Sequence, residues 1–355
     1  MTNSRLVLQH LFDGSLLSRA DLARLTGLTA ATVSALIAEL EETGLVAEVG
    51  TRRDESQVGK PPTMLAVRPE SRNVISLDLS DPSVFRGAVV DLGGKIVASV
   101  DVPNPGTPGT HTLDAIDSLV GLAMGRAQSE ILGVGIGTPG VVDSDGAVVD
   151  ATSFGWHHIG LRQHVEDAVG YPAYVINDAN AAAIAEYSRG GHDSLNLAVI
   201  KIGSGVGAGF VLDGRLFEGA HAGAGEIGHL VVDPDGPPCA CGHSGCLETF
   251  VASSHLERAL AQPGADAVAI RRAAANRLGV ALAAVVAILD LDHVLISGSR
   301  RLLGEDFCDL AAESLRARCR ESVAGSVNVG YTSLGEDVLL LGAASMVISH
   351  ELGVS

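Results

Sequence analysis

The chain has 355 residues, 46% of them hydrophobic and only 3% aromatic, with mean hydropathy +0.30 and a formal net charge of −18. That length and apolar content describe two or three packed domains and exclude a disordered chain. The apolar run at Val280–Leu289 is too short to span a bilayer, and Met1–Ser15 lacks the basic and apolar segments of a secretory leader, so no membrane association is expected and a cytoplasmic location is.

Charge location matters more than its total. Residues 1–70 carry seven Arg or Lys side chains against nine carboxylates, so this segment is close to neutral and the acidity belongs to the rest. Leu6, Val7, Leu8, Leu11 and Phe12 recur at helical spacing. Ser18, with Asp21 three residues on, has the form of a capping box opening a second helix that Gly27 ends. Thr29 then caps a third helix whose Val33, Leu36, Ile37 and Leu40 make an apolar stripe, stopped at Gly44.

Two short helices joined by a tight glycine turn make a helix-turn-helix. An ordinary three-helix packing module is the alternative. LVAEV and MLAV read as two strands around the polar stretch GTRRDESQVGKPPT, which makes the motif winged. Arg52, Arg53 and Lys60 in that wing are candidate phosphate contacts. Thr29, Ala30, Thr32 and Ser34 at the start of the third helix are candidate base contacts. None is Arg or Lys, so no bidentate guanine reading is available from that turn. Affinity is therefore expected from the wing and phosphates, and specificity from a homodimer, or a dimer of dimers, on an inverted repeat of operator DNA.

From Asn73 the texture changes. VISLDL, VFRGAVVDL and KIVASVDV predict an antiparallel meander, followed by a helix over His111–Arg126 and the strand ILGVGIG. LNLAVIKIG, GAGFVLDG and RLFE open a second half of similar order, which suggests two α/β lobes with a cleft between them. The domains are accordingly drawn as a DNA-binding segment over 1–70, a first lobe over 71–190, and a second lobe over 191–355 that carries the dimer interface.

In the second half, His229 is followed by Cys239, Cys241 and Cys246 within eighteen residues, the ligand set of a closed tetrahedral zinc site, one per chain. The alternative is three buried thiols and an unrelated surface histidine. Pro234, Gly236, Pro237 and Pro238 leave the loop between the first two ligands few other means of holding a shape. Glu226 and Glu248 flank it closely, so the pinned loop presents two carboxylates and an imidazole, as a polyol site would. Cys308 and Cys319 fall in a helical pattern and read as buried thiols, which fits a reducing compartment.

The body resembles the ROK family (repressors, open reading frames and kinases). The resemblance rests on IGTPGVVD at 136–143, GWHHIGL at 155–161, VINDANAAAIAEY at 175–187, IKIGSGVGAGFVLDGRLFEGAHAGAGEIGHL at 200–230 and CACGHSGCLE at 239–248. It implies an α/β chain: a winged helix-turn-helix ahead of a two-lobed actin-like, ribonuclease-H-like sugar-kinase fold. It also implies monosaccharide contacts at Asn177, Asp178, Glu226, His229 and Glu248. Asp178 stands where kinases of the family have their general base, and Asn177 also reads as a helix N-cap. Ser153-Phe154 replaces a common Asn-Leu.

Kinases of the family carry an Asp-x-Gly-Gly-Thr phosphate loop, where this chain has Asp78-Leu79-Ser80-Asp81-Pro82-Ser83. A second carboxylate and a proline without an N–H oppose phosphate binding there. Gly203-Ser204-Gly205-Val206-Gly207 keeps the form of the second loop, and Ile296-Ser297-Gly298-Ser299-Arg300 alters the third. The expectation is a sugar-responsive transcriptional regulator, most often a repressor in this family, with no catalytic residues. The alternative is an active ATP-dependent sugar kinase with an appended DNA-binding domain.

Overall fold

A computed structural model describes residues 2–12, 14–51, 61–106, 110–151, 154–192 and 194–354. The chain opens with α1 (Asn3–Phe12), β1 (Leu17–Ser18), α2 (Arg19–Thr26), α3 (Ala30–Glu42), β2 (Val46–Thr51) and β3 (Thr63–Val67). The capping box forms: Ser18 Oγ accepts from the Asp21 N–H at 3.2 Å, and the Asp21 carboxylate accepts from the Ser18 N–H at 3.0 Å. Gly27 ends α2 in the left-handed region at φ 70°, which a side chain would resist. The chain turns through 117° between α2 and α3, within the range of a helix-turn-helix. β2 and β3 pair antiparallel, and β1, too short to read from sequence, adds to the far edge of β3.

The body contains two sheets of one design. The first is built from β4 (Arg72–Asp78), β5 (Val84–Asp91), β6 (Ile96–Pro103), then, after α4 (Thr110–Met124), β7 (Glu130–Thr138) and later β11 (Ala173–Asn177). Between β7 and β11 lie a small sheet of β8 (Val141–Val142), β9 (Val148–Ala151) and β10 (Trp156–Ile159), and helix α5 (Leu161–Val169); α6 (Asp178–Arg189) follows β11. The second sheet takes β12 (Leu197–Ile202), β13 (Val206–Leu212) and β14 (Arg215–Leu216). Then come α7 (Glu248–Val251), α8 (Ser253–Leu260), α9 (Ala267–Leu289), β15 (His293–Gly298), α10 (Arg300–Leu303), α11 (Phe307–Arg316), α12 (Glu321–Ala324), β16 (Asn328–Tyr331) and α13 (Val338–Leu352).

The orders are β6-β5-β4-β7-β11 and β14-β13-β12-β15-β16, each an antiparallel meander continued by two parallel strands. The internal duplication expected from the sequence is therefore a repeat of topology. RLFE is strand only over Arg215–Leu216, and Cys319 lies beyond the end of α11, half-buried, with its thiol donating to Ala283 O at 3.3 Å.

α13 does not stay with the second sheet. It packs across β4 and β7 and along α6, so the last helix returns to the first lobe although its sequence follows the second. The α6–α13 layer lies between the two sheets, and the backbones there come very close. A Cβ on Gly209 of β13 would collide with the Ala179 carbonyl, and one on Gly342 of α13 with that of Ala181. This explains the alanines at Ala179, Ala181 and Ala183 of α6. One continuous core runs from Val7, Leu22 and Val33 of the DNA-binding module through Ala182 and Ala185 to Val199 and Leu295 of the second sheet.

One expectation needs correction. α9 has 23 residues, far more than the apolar run read at Val280–Leu289, and is long and apolar enough to cross a membrane. The short reading broke the run at its scattered arginines. Half of the apolar stretch is buried inside the protein, against α7, α8, α11 and α12, as befits the core helix of a domain.

Candidate functional site: a cleft between the lobes and a Cys/His cluster

β11 delivers Asn177 and Asp178 to the cleft at the start of α6. Asn177 caps that helix: its Oδ1 accepts from the Ala179 and Asn180 N–H groups at 2.9 and 3.1 Å, and its Nδ2 donates to Gly140 O at 2.9 Å. Asp178 Oδ1 accepts from the Ala179 N–H at 2.8 Å, while Oδ2 lies 2.8 Å from Lys201 Nζ, on β12 of the other lobe. Lys201 was not singled out in the sequence. In the alternation Ile200-Lys201-Ile202 it reads as an outward strand position, and its partner lies in the other lobe.

A cavity of about 580 Å³ opens here, lined by Asn177, Asp178, Lys201, Glu226, His229 and Glu248, with Gly140 and Asp150 from around the small sheet. All five residues expected to contact sugar therefore meet in one cleft. Burial raises the Glu226 carboxyl above its ordinary pKa, opposed by His229. Vicinal hydroxyls suit such a wall, because carboxylates accept what hydroxyls donate. Among the described residues of the wall, Lys201 is the one Lys or Arg.

His229, Cys239, Cys241 and Cys246 converge next to this wall, with one ligand atom from each within 4.8 Å of the others. His229 Nδ1 to Cys239 Sγ and Cys241 Sγ to Cys246 Sγ are both 3.6 Å, close to the edges of about 3.6 Å (N–S) and about 3.8 Å (S–S) that a tetrahedron of roughly 2.3 Å metal–sulfur and roughly 2.0–2.1 Å metal–nitrogen bonds requires. The donor set thus fits a tetrahedral metal ion. Short bridges, Val231 to Cys246 and Pro238 to Ser244, shape the loop, and Arg277 braces it by reaching Asp233 at 3.2 Å and lying 4.1 Å over the Phe250 ring. Hydrogen bonds from His243 bring the Cys241 thiol down to about 6, whereas burial takes Cys239 up to about 12. The histidine faces two ways: Nδ1 looks toward Cys239, and Nε2 lies 3.8 Å from Glu226 Oε2.

In the loop that follows β4, carboxylates hold the backbone donors. Asp78 Oδ1 accepts from the Ser80 N–H at 2.9 Å, and Asp81 Oδ1 accepts from the Ser83 and Val84 N–H groups at 2.7 and 3.2 Å. The Ser80, Ser83 and Val84 N–H groups are thus already bonded to carboxylates. Gly203–Gly205 forms the turn between β12 and β13, closed by Gly203 N–H to Gly205 O at 2.9 Å, and Val206 and Gly207 already belong to β13.

In the DNA-binding module, Thr29, Ala30 and Ser34 are exposed at the start of α3 and Thr32 is half-buried. The Thr29 and Thr32 hydroxyls are 2.9 Å apart, and Thr29 Oγ1 accepts from the Thr32 N–H, so the first hydroxyl also caps the helix. Arg52, Arg53, Lys60 and Ser153 lie outside the described residues. From the cleft, α6 leads toward this module without packing directly on it. From Asp178 it runs to Arg189, whose guanidinium donates to Gly93 O at 2.7 Å and Ser345 Oγ at 3.2 Å. There a second cavity of about 750 Å³ opens between Phe12 of α1, Val67 of β3, Tyr187 of α6 and His350 of α13.

A winged helix-turn-helix fused to a two-lobed body with a polar cleft defines a transcriptional regulator that responds to a sugar. Residues 82–350 match the ROK family and residues 6–55 the MarR family. The chain belongs to the ROK family. It is 28% identical over 385 residues to a xylose repressor of Caldicellulosiruptor bescii, covering 99% of this chain and 96% of that one. A crystal structure of a ROK family transcriptional regulator, described as a homologue of the Escherichia coli Mlc protein, superposes with a TM-score of 0.83 at 23% identity, over 99% of this chain and 96% of that one. The body also resembles a ROK family glucokinase from Streptomyces griseus, in complex with glucose and AMPPNP, with a TM-score of 0.65 and 29% identity over 77% of this chain and 98% of the kinase.

Proposed function

We propose that the protein is a cytoplasmic repressor whose homodimer holds an inverted-repeat operator and releases it when a monosaccharide fills the cleft. The observation that carries this reading is the convergence of Asn177, Asp178, Glu226, His229 and Glu248 on one cavity, at the start of the helix α6 whose far end faces the DNA-binding module across a second cavity. Sugar binding draws the lobes together, and α6 carries the movement to the junction with α1 and β3, a two-state device that changes the spacing of the two winged helices.

Zinc is the metal that suits three thiols and one imidazole in a closed site. His229, Cys239, Cys241 and Cys246 would hold it, and it would fix the imidazole so that Nε2 faces the cleft as a hydroxyl partner. Its contribution is structural. Asp178 serves as an acceptor of sugar hydroxyls, not as a base, because the bonded loop at Asp78–Ser83 offers a nucleotide little. An inactive kinase body then acts as the sensor, with Thr29, Ala30, Thr32, Ser34, Arg52, Arg53 and Lys60 at the DNA.

Fluorescence anisotropy of the purified protein on its own promoter DNA, with D-xylose, D-glucose and other monosaccharides added in turn, tests the reading. One sugar should release the DNA, and ATP with magnesium should neither release it nor raise the melting temperature. Turnover of that sugar to its phosphate would establish the kinase instead.

A further inference from the structure

The Lys201 ammonium occupies an unusual position. It reaches from β12 across the cleft to Asp178 Oδ2 at 2.8 Å, and a Cβ on Gly203 would lie 3.0 Å from it. The nitrogen is thus held between the carboxylate at the kinase-base position and the first glycine of the β12–β13 turn.

The pair is well enclosed, with the Lys201 and Asp178 side chains only 12% and 10% exposed. Burial opposes the ammonium's charge, but Asp178, then Asp78 and Asp81, outweigh it and leave its pKa above the ordinary lysine value. Around it the wall carries Asp178, Glu226 and Glu248, and Asp150 paired with His157 at 2.9 Å, with no Arg and no second Lys among its described residues. An anionic ligand would meet a surplus of negative charge that one already paired lysine does not offset. An uncharged polyol would meet acceptors.

We propose that Lys201 is a tethered counter-cation for Asp178, which positions that carboxylate for sugar hydroxyls in a cleft restricted to uncharged sugars. The inference rests on the sugar-sensor reading above. Lys201 is a positioning residue: its part is to aim and neutralise Asp178.

Calorimetry on the full-length, metal-loaded protein tests it, with D-xylose and D-glucose as probes and D-glucose 6-phosphate as the anionic comparison. Wild type should bind at least one free sugar and not the phosphate. Lys201→Ala should bind that sugar about tenfold or more weakly. Millimolar propylammonium, which can occupy the vacated site, should restore much of the affinity, and propanol should not. Lys201→Gln, closer in size, repeats the comparison if the alanine variant does not fold, with melting temperature and DNA binding as checks of integrity. Unchanged affinity in a folded variant overturns the proposal, as does a loss that propylammonium does not repair, or wild type binding the phosphate as well as the free sugar. If wild type binds neither free sugar, the sensor reading itself fails and this inference falls with it.

Discussion

The buried carboxylate of Glu186 accepts a hydrogen bond from the backbone N–H of Leu334 at 3.0 Å. Glu186 lies near the end of α6, and Leu334 lies in the segment by which the chain returns from the second sheet to α13. The same carboxylate meets Ser333 Oγ at 2.9 Å and His192 Nε2 at 2.9 Å, the latter on the outward crossing between α6 and β12. One fully buried side chain therefore ties both passages between the lobes to α6.

Replacing Glu186 with Ala should destabilise the protein by about 1–3 kcal/mol, because a fully buried side chain and its hydrogen bonds to both crossings are lost. Urea unfolding would measure the loss. A fall of less than roughly 0.5 kcal/mol, the range of an ordinary surface substitution, would show that the crossings are held by other means. Operator release by sugar should weaken in the same variant, because α6 would no longer move with both crossings.

Glu186 also marks where the sequence stops being readable. In AIAEYSRGG it looks like an outward helical charge, and its partners are residues whose nearness only the closed fold creates. Lys201 is obscured in the same way, by a pairing across the cleft. α13 is apolar on nearly every face, so its pattern says that it is buried and not which sheet covers it. What could be read was local or chemically exclusive. The Ser18–Asp21 box, the Thr29 cap and the meanders depend on neighbours in sequence. Three thiols and an imidazole at close spacing have few other uses, and they do converge.

Removing the metal should cost both structure and response. Elemental analysis of protein purified under reducing conditions should find one zinc per chain, and Cys241→Ser should lose it. The loop between His229 and Cys246 carries part of the cleft wall, so this variant should also lose its response to sugar while α1–α3 keep DNA affinity. Protein with reduced thiols and no zinc would remove the metal from the account.

The wing makes a prediction about salt. Replacing Arg52 and Arg53 together with Ala should weaken binding to all DNA sequences alike. It should also flatten the dependence of log K on log salt by about one unit per lost phosphate contact. Base preference should persist, since Thr29, Ala30 and Ser34 remain exposed on α3. An unchanged salt slope, measured by anisotropy titrations over a range of salt concentrations, would place the wing away from the phosphates.

Asp178→Asn distinguishes sensing from catalysis. The substitution preserves size and leaves one oxygen to accept from Ala179 N–H, so the start of α6 should survive. It replaces the oxygen facing Lys201 by an amide that donates, and so removes both the ion pair and an acceptor for a sugar hydroxyl. Loss of a hydrogen bond to a charged group costs about 1.5–3 kcal/mol, roughly ten- to a hundredfold in sugar affinity. DNA binding should be unchanged, since Asp178 lies at the far end of α6 from the DNA-binding module, and the variant should hold its operator in the presence of inducer. Neither wild type nor variant should form a phosphosugar from ATP and magnesium. Phosphosugar formed by wild type and not by Asp178→Asn would mean that Asp178 is a working base despite Lys201, and that the Asp78–Ser83 loop can seat a phosphate after giving up its internal hydrogen bonds.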